Sequence, residues 1–279
     1  MIIELGSVTD LTEEYQGRVA VVGSHGGELT GRFAERAGVA ALICHDAGVG
    51  LEGAGVAALG YLDRCGVPAI AVGHMSARIG DPADMMKRGI VSHANACAAS
   101  LGVTAGQDVR AALTVFEAIP FRQVPGGPKP DANTILAEEE IETGGVKILL
   151  LDSASKLSAR HDGAIVITGS HGGLPGNEIS RALRARPVLV VFNDAGIGID
   201  RAGIARLPVL QDMGIAALCV DAGSARIGSA RSSYENGLVS IANSLAAELG
   251  AEPGMPLKLL AGKLVGLSDH PTQSGKVTS

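Results

Sequence analysis

The chain says the same thing twice. Residues 44–80 align without a gap on residues 192–228, and seventeen of the 37 positions are identical. The identities gather in three blocks. Gly23-Ser24-His25-Gly26-Gly27 returns as Gly169-Ser170-His171-Gly172-Gly173. Asp46-Ala47-Gly48-x-Gly50 returns as Asp194-Ala195-Gly196-x-Gly198, and Ser76-Ala77-Arg78-Ile79-Gly80 as Ser224-Ala225-Arg226-Ile227-Gly228. Loops ordinarily drift faster than the elements they join. Here the loops are shared, while the apolar runs between them exchange Val, Ile, Leu and Ala. That pattern points to a site in the loops.

A duplicated sequence must use one topology twice. Apolar runs of five or six residues, 18–22, 39–44 and 67–72, return at 164–168, 188–192 and 215–220. Continuous runs of that length suit strands covered on both faces, as in parallel sheets. Each run ends in a Gly-rich turn, with a helical stretch expected after it, such as 29–37. Residues 2–5 and 147–151 read as first strands. Met86, Ile90, Val91, Ala94, Cys97, Ala98 and Leu101 fall at helical spacing, introduced by a helix start at Asp81-Pro82. The expected fold is a tandem duplication of a Rossmann-like three-layer α/β/α unit, with mainly parallel sheets and a pseudo-two-fold between the copies. The first repeat is expected over 1–107, a connecting segment over 108–146, and the second repeat with its tail over 147–279. Within the connection, Pro125–Pro130 reads as a loop and Glu138–Glu140 as a solvated acidic run. Residues 270–279 read as a frayed end.

Composition narrows the function. A net charge of −6, no Trp, 3 Tyr and 4 Phe argue against a nucleic-acid partner, which needs a basic face and stacking rings. No apolar run reaches membrane-spanning length, so no membrane is expected. Four scattered cysteines without a CxxC pair, and no evident leader, suit a reducing cytoplasm. A homo-oligomer is expected on general grounds.

Ligands of parallel sheets bind beyond the carboxyl ends of the strands, where all three blocks fall. His25 and His171 are candidate general bases, because imidazole titrates near neutrality. Asp46 and Asp194 are candidates to orient them, and Ser76 and Ser224 candidate nucleophiles. Ser24 and Ser170 are weaker candidates, because neighbouring side chains on an extended segment point apart. The Gly26-Gly27 and Gly172-Gly173 amides offer an oxyanion site. Arg78 and Arg226 offer forked cations for a substrate carboxylate. Gly48, Gly50 and Gly53 form a GxGxxG, but copy two has Arg201 at the third position, so a dinucleotide site is not expected.

Val21–Gly26 with Ile43–Gly48, and Ile167–Gly172 with Val191–Gly196, resemble the His-Gly and Asp-Ala-Cys signatures of the caspase and gingipain cysteine peptidases. Gly48 and Gly196 stand where that family has its nucleophilic cysteine, so the activity does not carry over.

The first functional reading is a hydrolase of an amide or ester of a small carboxylate-bearing metabolite. A metal-dependent enzyme centred on copy one is the second: His25, His45, Asp46 and His74 sit at successive strand ends and suit a divalent ion. Copy two has Asn193 and Ala222 in place of His45 and His74 yet keeps all three blocks, so a metal-independent protein without cofactor is expected. The third reading is a non-catalytic module for an anionic metabolite.

Overall fold

The computed structural model describes residues 1–120, 138–143 and 146–268. The proline-rich loop at 125–130 and the tail at 270–279 lie outside the described residues. The chain forms two mainly parallel sheets of similar size. The first is ordered β1 (Ile2–Leu5), β2 (Val19–His25), β3 (Ala41–His45), β4 (Ala69–Val72), β5 (Val91–Ala94). Only β5 is antiparallel to its neighbour. The second sheet runs β6 (Glu138–Thr143), β7 (Val146–Leu151), β8 (Ile165–His171), β9 (Leu189–Asn193), β10 (Ala216–Val220), β11 (Val239–Ala242). β7 to β10 are parallel, and β6 and β11 are antiparallel edges.

Both faces of each sheet are covered, which explains the unbroken apolar runs. Ala20, Val22, Leu42 and Ala71 pack with Phe33 of α1 (Glu28–Ala37) and with Leu59 and Leu62 of α2 (Ala57–Arg64). Val19, Val21, Ile43 and Ile70 face Met85 of α3 (Pro82–Arg88), Ala98 of α4 (Ala96–Ser100) and Val109 and Phe116 of α5 (Val109–Glu117). In the second half, Leu207 and Leu210 of α6 (Arg206–Asp212) cover one face. Ala230 of α7 (Ala230–Asn236), Ala246 of α8 (Ser244–Glu248) and Leu257 and Leu260 of α9 (Leu257–Ser268) cover the other. No helix among the described residues is long and apolar enough to cross a membrane.

Two expectations need correction. The helical spacing across 86–101 does not make one helix. α3 stops at Gly89, β5 follows, and Asn95 caps α4 by accepting the Ala98 amide. Asn243 repeats that cap before α8. Residues 90, 91, 94, 97 and 98 fit a 3.6 period only because a strand lies between two short helices. The helix expected after the second Gly turn is also missing. Pro175-Gly176-Asn177 forms a 3₁₀ turn with Gly176 and Asn177 at positive φ, and another 3₁₀ turn follows at Ile179–Arg181. Elsewhere the helix start at Asp81-Pro82 stands, with Asp81 accepting the Asp84 amide. The acidic run forms edge strand β6, where Glu138 pairs with Arg160, Glu139 with Arg231 and Glu140 with Lys147.

The carboxyl ends of the two sheets meet, and their contacts are reciprocal. The Leu51 amide donates to the Ala222 carbonyl (2.8 Å), and the equivalent Ile199 amide donates to the His74 carbonyl (2.8 Å). Arg78 pairs with Asp200 (2.9 Å), and Arg226 with Glu52 (3.1 Å). Ala47, Ala54 and Ile79 pack with their own counterparts Ala195, Ala202 and Ile227. This is the self-complementary contact of a two-fold dimer, made within one chain.

Candidate functional site

The shared blocks divide into two roles. DAGxG and SARIG build the junction between the halves. In DAGxG, Ala47, Gly48, Val49 and Gly50 all have positive φ, as do Ala195, Gly196, Ile197 and Gly198. Val49 and Ile197 at φ 63° are β-branched residues in a costly conformation. This left-handed turn brings Gly48 against Gly196: a Cβ on Gly48 would lie 2.9 Å from the Gly196 Cα. Only glycine allows that backbone approach. Asp46 Oδ1 accepts the Gly48 amide (3.0 Å), the His74 amide (2.9 Å) and His74 Nδ1 (3.1 Å). Asp194 Oδ1 accepts the Gly196 and Ala222 amides, both at 3.0 Å. Burial pushes the Asp194 carboxyl up, against the pull of those amides.

His45 is tied at both nitrogens. Nδ1 accepts the Ala47 amide (3.1 Å), which leaves Nε2–H to donate to the Ala77 carbonyl (3.0 Å). Asn193 does the same in copy two: Oδ1 accepts the Ala195 amide (2.9 Å) and Nδ2 donates to the Ala225 carbonyl (3.1 Å). The replacement that looked like loss of an imidazole keeps both bonds. Ser76 Oγ donates to the Gly73 carbonyl (2.7 Å) and accepts the Ile90 amide (3.0 Å). Ser224 repeats this with Asp221 and Leu238. Arg78 and Arg226 are spent on the ion pairs across the junction. His25, Asp46 and Arg78 thus bond to different partners and not to one another, as do His171, Asp194 and Arg226. Among the described residues no group of three His, Cys, Asp or Glu is placed to hold a metal.

GSHGG has the other role. His25 and His171 face each other across the pseudo-two-fold, ring centroids 6.5 Å apart and edge to face. They line one cavity of about 700 Å³ between the halves, together with Ser24 and Ser170. Ser7, Thr9, Ser153 and Ser155 complete its paired hydroxyl wall. Serine and histidine, adjacent in sequence, reach the same cavity because strand register shifts between Val21 and His25, and again between Ile167 and His171. Strict alternation along the strand would have pointed the two side chains apart. Ser24 Oγ accepts the Val8 amide (2.8 Å), and Ser170 Oγ the Ala154 amide (2.9 Å).

The Gly pairs fix the rings. His25 Nδ1 accepts the Gly27 amide (3.0 Å), and His171 Nδ1 accepts the Gly173 amide (3.1 Å). A Cβ on Gly27 would sit 2.6 Å from the His25 ring, so the second glycine of each block is the ring's clamp. With Nδ1 accepting, each neutral ring carries its proton on Nε2. Burial, then the charge of His45, pushes His25 down to about 4. Burial, then Arg206, His25 and His45, holds His171 well below its ordinary range. Both rings are neutral at pH 7. Among the described residues no buried side-chain nitrogen or oxygen lacks a partner, and neither Nε2 bonds to any of them. Both Nε2–H groups thus open onto the cavity as donors.

Arg206 also lines this cavity. Ala58 occupies its position in copy one, so the repeat itself carried no signal for it. No family model matches the chain, and no curated protein or solved structure matches it.

Proposed function

We propose that this protein is a small-molecule hydrolase with one composite site between its halves, acting on an amide or ester of a carboxylate-bearing metabolite. The observation that carries the reading is the pair of neutral imidazoles whose Nε2–H groups converge on one cavity. Neutral imidazole is a hydrogen-bond donor to a carbonyl oxygen, and such donors matter most when that oxygen takes on negative charge. His25 and His171 then polarise the scissile carbonyl rather than remove a proton. Ser24 and Ser170 supply hydroxyls in the wall of the same cavity. Water adds to the carbonyl carbon, the bond to the leaving oxygen or nitrogen breaks, and the proton from water passes to the leaving group.

A second reading, a non-catalytic module for an anionic metabolite, is favoured by one observation: both Nδ1 atoms are occupied, so neither ring is set as a base. Nitrophenyl esters of small dicarboxylic acids separate the two. The hydrolase reading expects turnover that falls at least about a hundredfold in His25→Ala or His171→Ala. Wild-type turnover no faster than that of the double variant leaves the binding reading. Four free thiols support a reducing, cytoplasmic setting, and assembly into a homo-oligomer belongs to the same proposal.

A further inference from the structure

A guanidinium with no counterion among the described residues lines the cavity that holds the two imidazoles. Arg206 is 3 % exposed. Its backbone amide donates to the Gly172 carbonyl (2.8 Å) and its Nε to the Gly173 carbonyl (3.1 Å). The guanidinium carbon sits 4.6 Å from the centre of the Phe192 ring, which stacks under it. No acidic side chain among the described residues pairs with it. The three carboxylates of the cavity wall are engaged elsewhere: Asp10 with Arg181 (2.5 Å), Glu138 with Arg160 (2.6 Å), and Asp152 on the Ala230 amide (3.0 Å). Because no buried nitrogen among the described residues lacks a partner, the two Nη groups, which bond to no acceptor among those residues, reach the cavity that Arg206 lines.

Burying an unpaired charge is costly, so buried charges are normally paired. In a chain of net charge −6, this cavity collects Lys156, Arg160, Arg181, Arg184 and Arg206 against three carboxylates. We infer that Arg206 anchors an oxyanion-binding site in the wall of this cavity, and that its missing counterion is the carboxylate or phosphate monoester group of a small metabolite. The Nη pair supplies a planar fork matched to two oxygens of one anion. Gly173 orients the fork through its carbonyl and the His171 ring through its amide, so anion and imidazole share one support. Only copy two carries the cation, so a ligand with one anionic end enters the pseudo-symmetric cavity in one orientation. The inference uses the same cavity as the proposed hydrolase, but its test reads binding and not turnover.

Melting temperature and calorimetry are measured with millimolar inorganic phosphate and with acetate, against chloride at equal ionic strength. Wild type is expected to bind at least one of the two, phosphate alone indicating a monoester and acetate alone a carboxylate. Arg206→Met is expected to weaken that binding about tenfold or more and Arg206→Lys to retain part of it. Unliganded Arg206→Met is expected to melt near wild type, since removal of an uncompensated charge is offset by loss of the Nε bond to the Gly173 carbonyl. The inference is overturned if wild type binds neither anion, if Arg206→Met binds as tightly, or if Arg206→Lys shows no weakening. Loss of ester hydrolysis in the histidine variants with anion binding intact leaves it standing. Hydrolysis that survives beside absent anion binding refutes it alone.

Discussion

Asparagine at position 45 should be tolerated, and alanine should not. His45 holds the Ala47 amide and the Ala77 carbonyl together inside the junction, and is 1 % exposed. His45→Ala leaves both backbone groups buried without a partner. Each such group costs about 1–3 kcal/mol, and the vacated ring volume adds a cavity penalty. The expected loss is about 3–5 kcal/mol, a large share of the roughly 5–15 kcal/mol that holds a domain folded. His45→Asn supplies an acceptor and a donor at the places where Asn193 already supplies them. Its expected loss is under about 1.5 kcal/mol, mostly from the smaller side chain. Urea unfolding followed by far-ultraviolet circular dichroism suits a protein without tryptophan. Equal losses for the two variants, or no loss for either, would refute the equivalence of His45 and Asn193.

The remaining expectations concern the junction and the rings. Gly48→Ala puts a Cβ 2.9 Å from the Gly196 backbone at φ +72°, whereas Gly53→Ala has φ +69° and no neighbour within 4 Å. The first should cost several kcal/mol and the second about 1–2, and similar unfolding midpoints would show that the halves do not press together there. Ser76→Ala and Ser224→Ala each remove a tie between two backbone groups, so stability should fall by about 1–2 kcal/mol. Anion binding should not change, and weakened binding in either variant would return these serines to the site. His25 is pushed down to about 4 from 6.5, so below pH 6.5 the unfolded chain gains a proton that the folded chain refuses until near pH 4. The stability its neutral form contributes is complete above pH 6.5 and declines as pH falls to 4, by about 3 kcal/mol in all. His25→Gln should flatten that decline in urea titrations at pH 7.5 and 4.5, and parallel losses in both proteins would count against a buried neutral ring.

Much of the fold is visible in the residues themselves. The twin apolar runs announce covered parallel strands, and their endings at glycine place the loops. What the pattern conceals is that the loops of one copy rest on those of the other. Arg78, Ala47 and Gly48 recur as Arg226, Ala195 and Gly196 because each must suit the facing loop of the other copy. Their identity therefore has a packing cause and is not by itself a mark of chemistry. The left-handed Ala47 and Val49 carry no local signal, since their φ is imposed by that contact. Within the site, the GSHGG histidines stood out as imidazoles that a turn does not need. Their tautomer was hidden, because it depends on which amide points at Nδ1. Arg206 was hidden for the opposite reason: it exists in one copy only, and a reading guided by repetition rewards what recurs.

His25 and His171 stand as neutral, Nε2-protonated donors facing one cavity. Long-range proton–nitrogen correlation of the uniformly ¹⁵N-labelled protein reads this directly, with His25→Gln and His171→Gln assigning the two rings. Both rings are expected to show an unprotonated Nδ1 and a protonated Nε2 at pH 7, no titration through pH 6.5, and for His25 a change only near pH 4. Binding of phosphate or acetate should shift the Nε2 signals of at least one ring. Rings that carry the proton on Nδ1, or that titrate near pH 6.5, would contradict it.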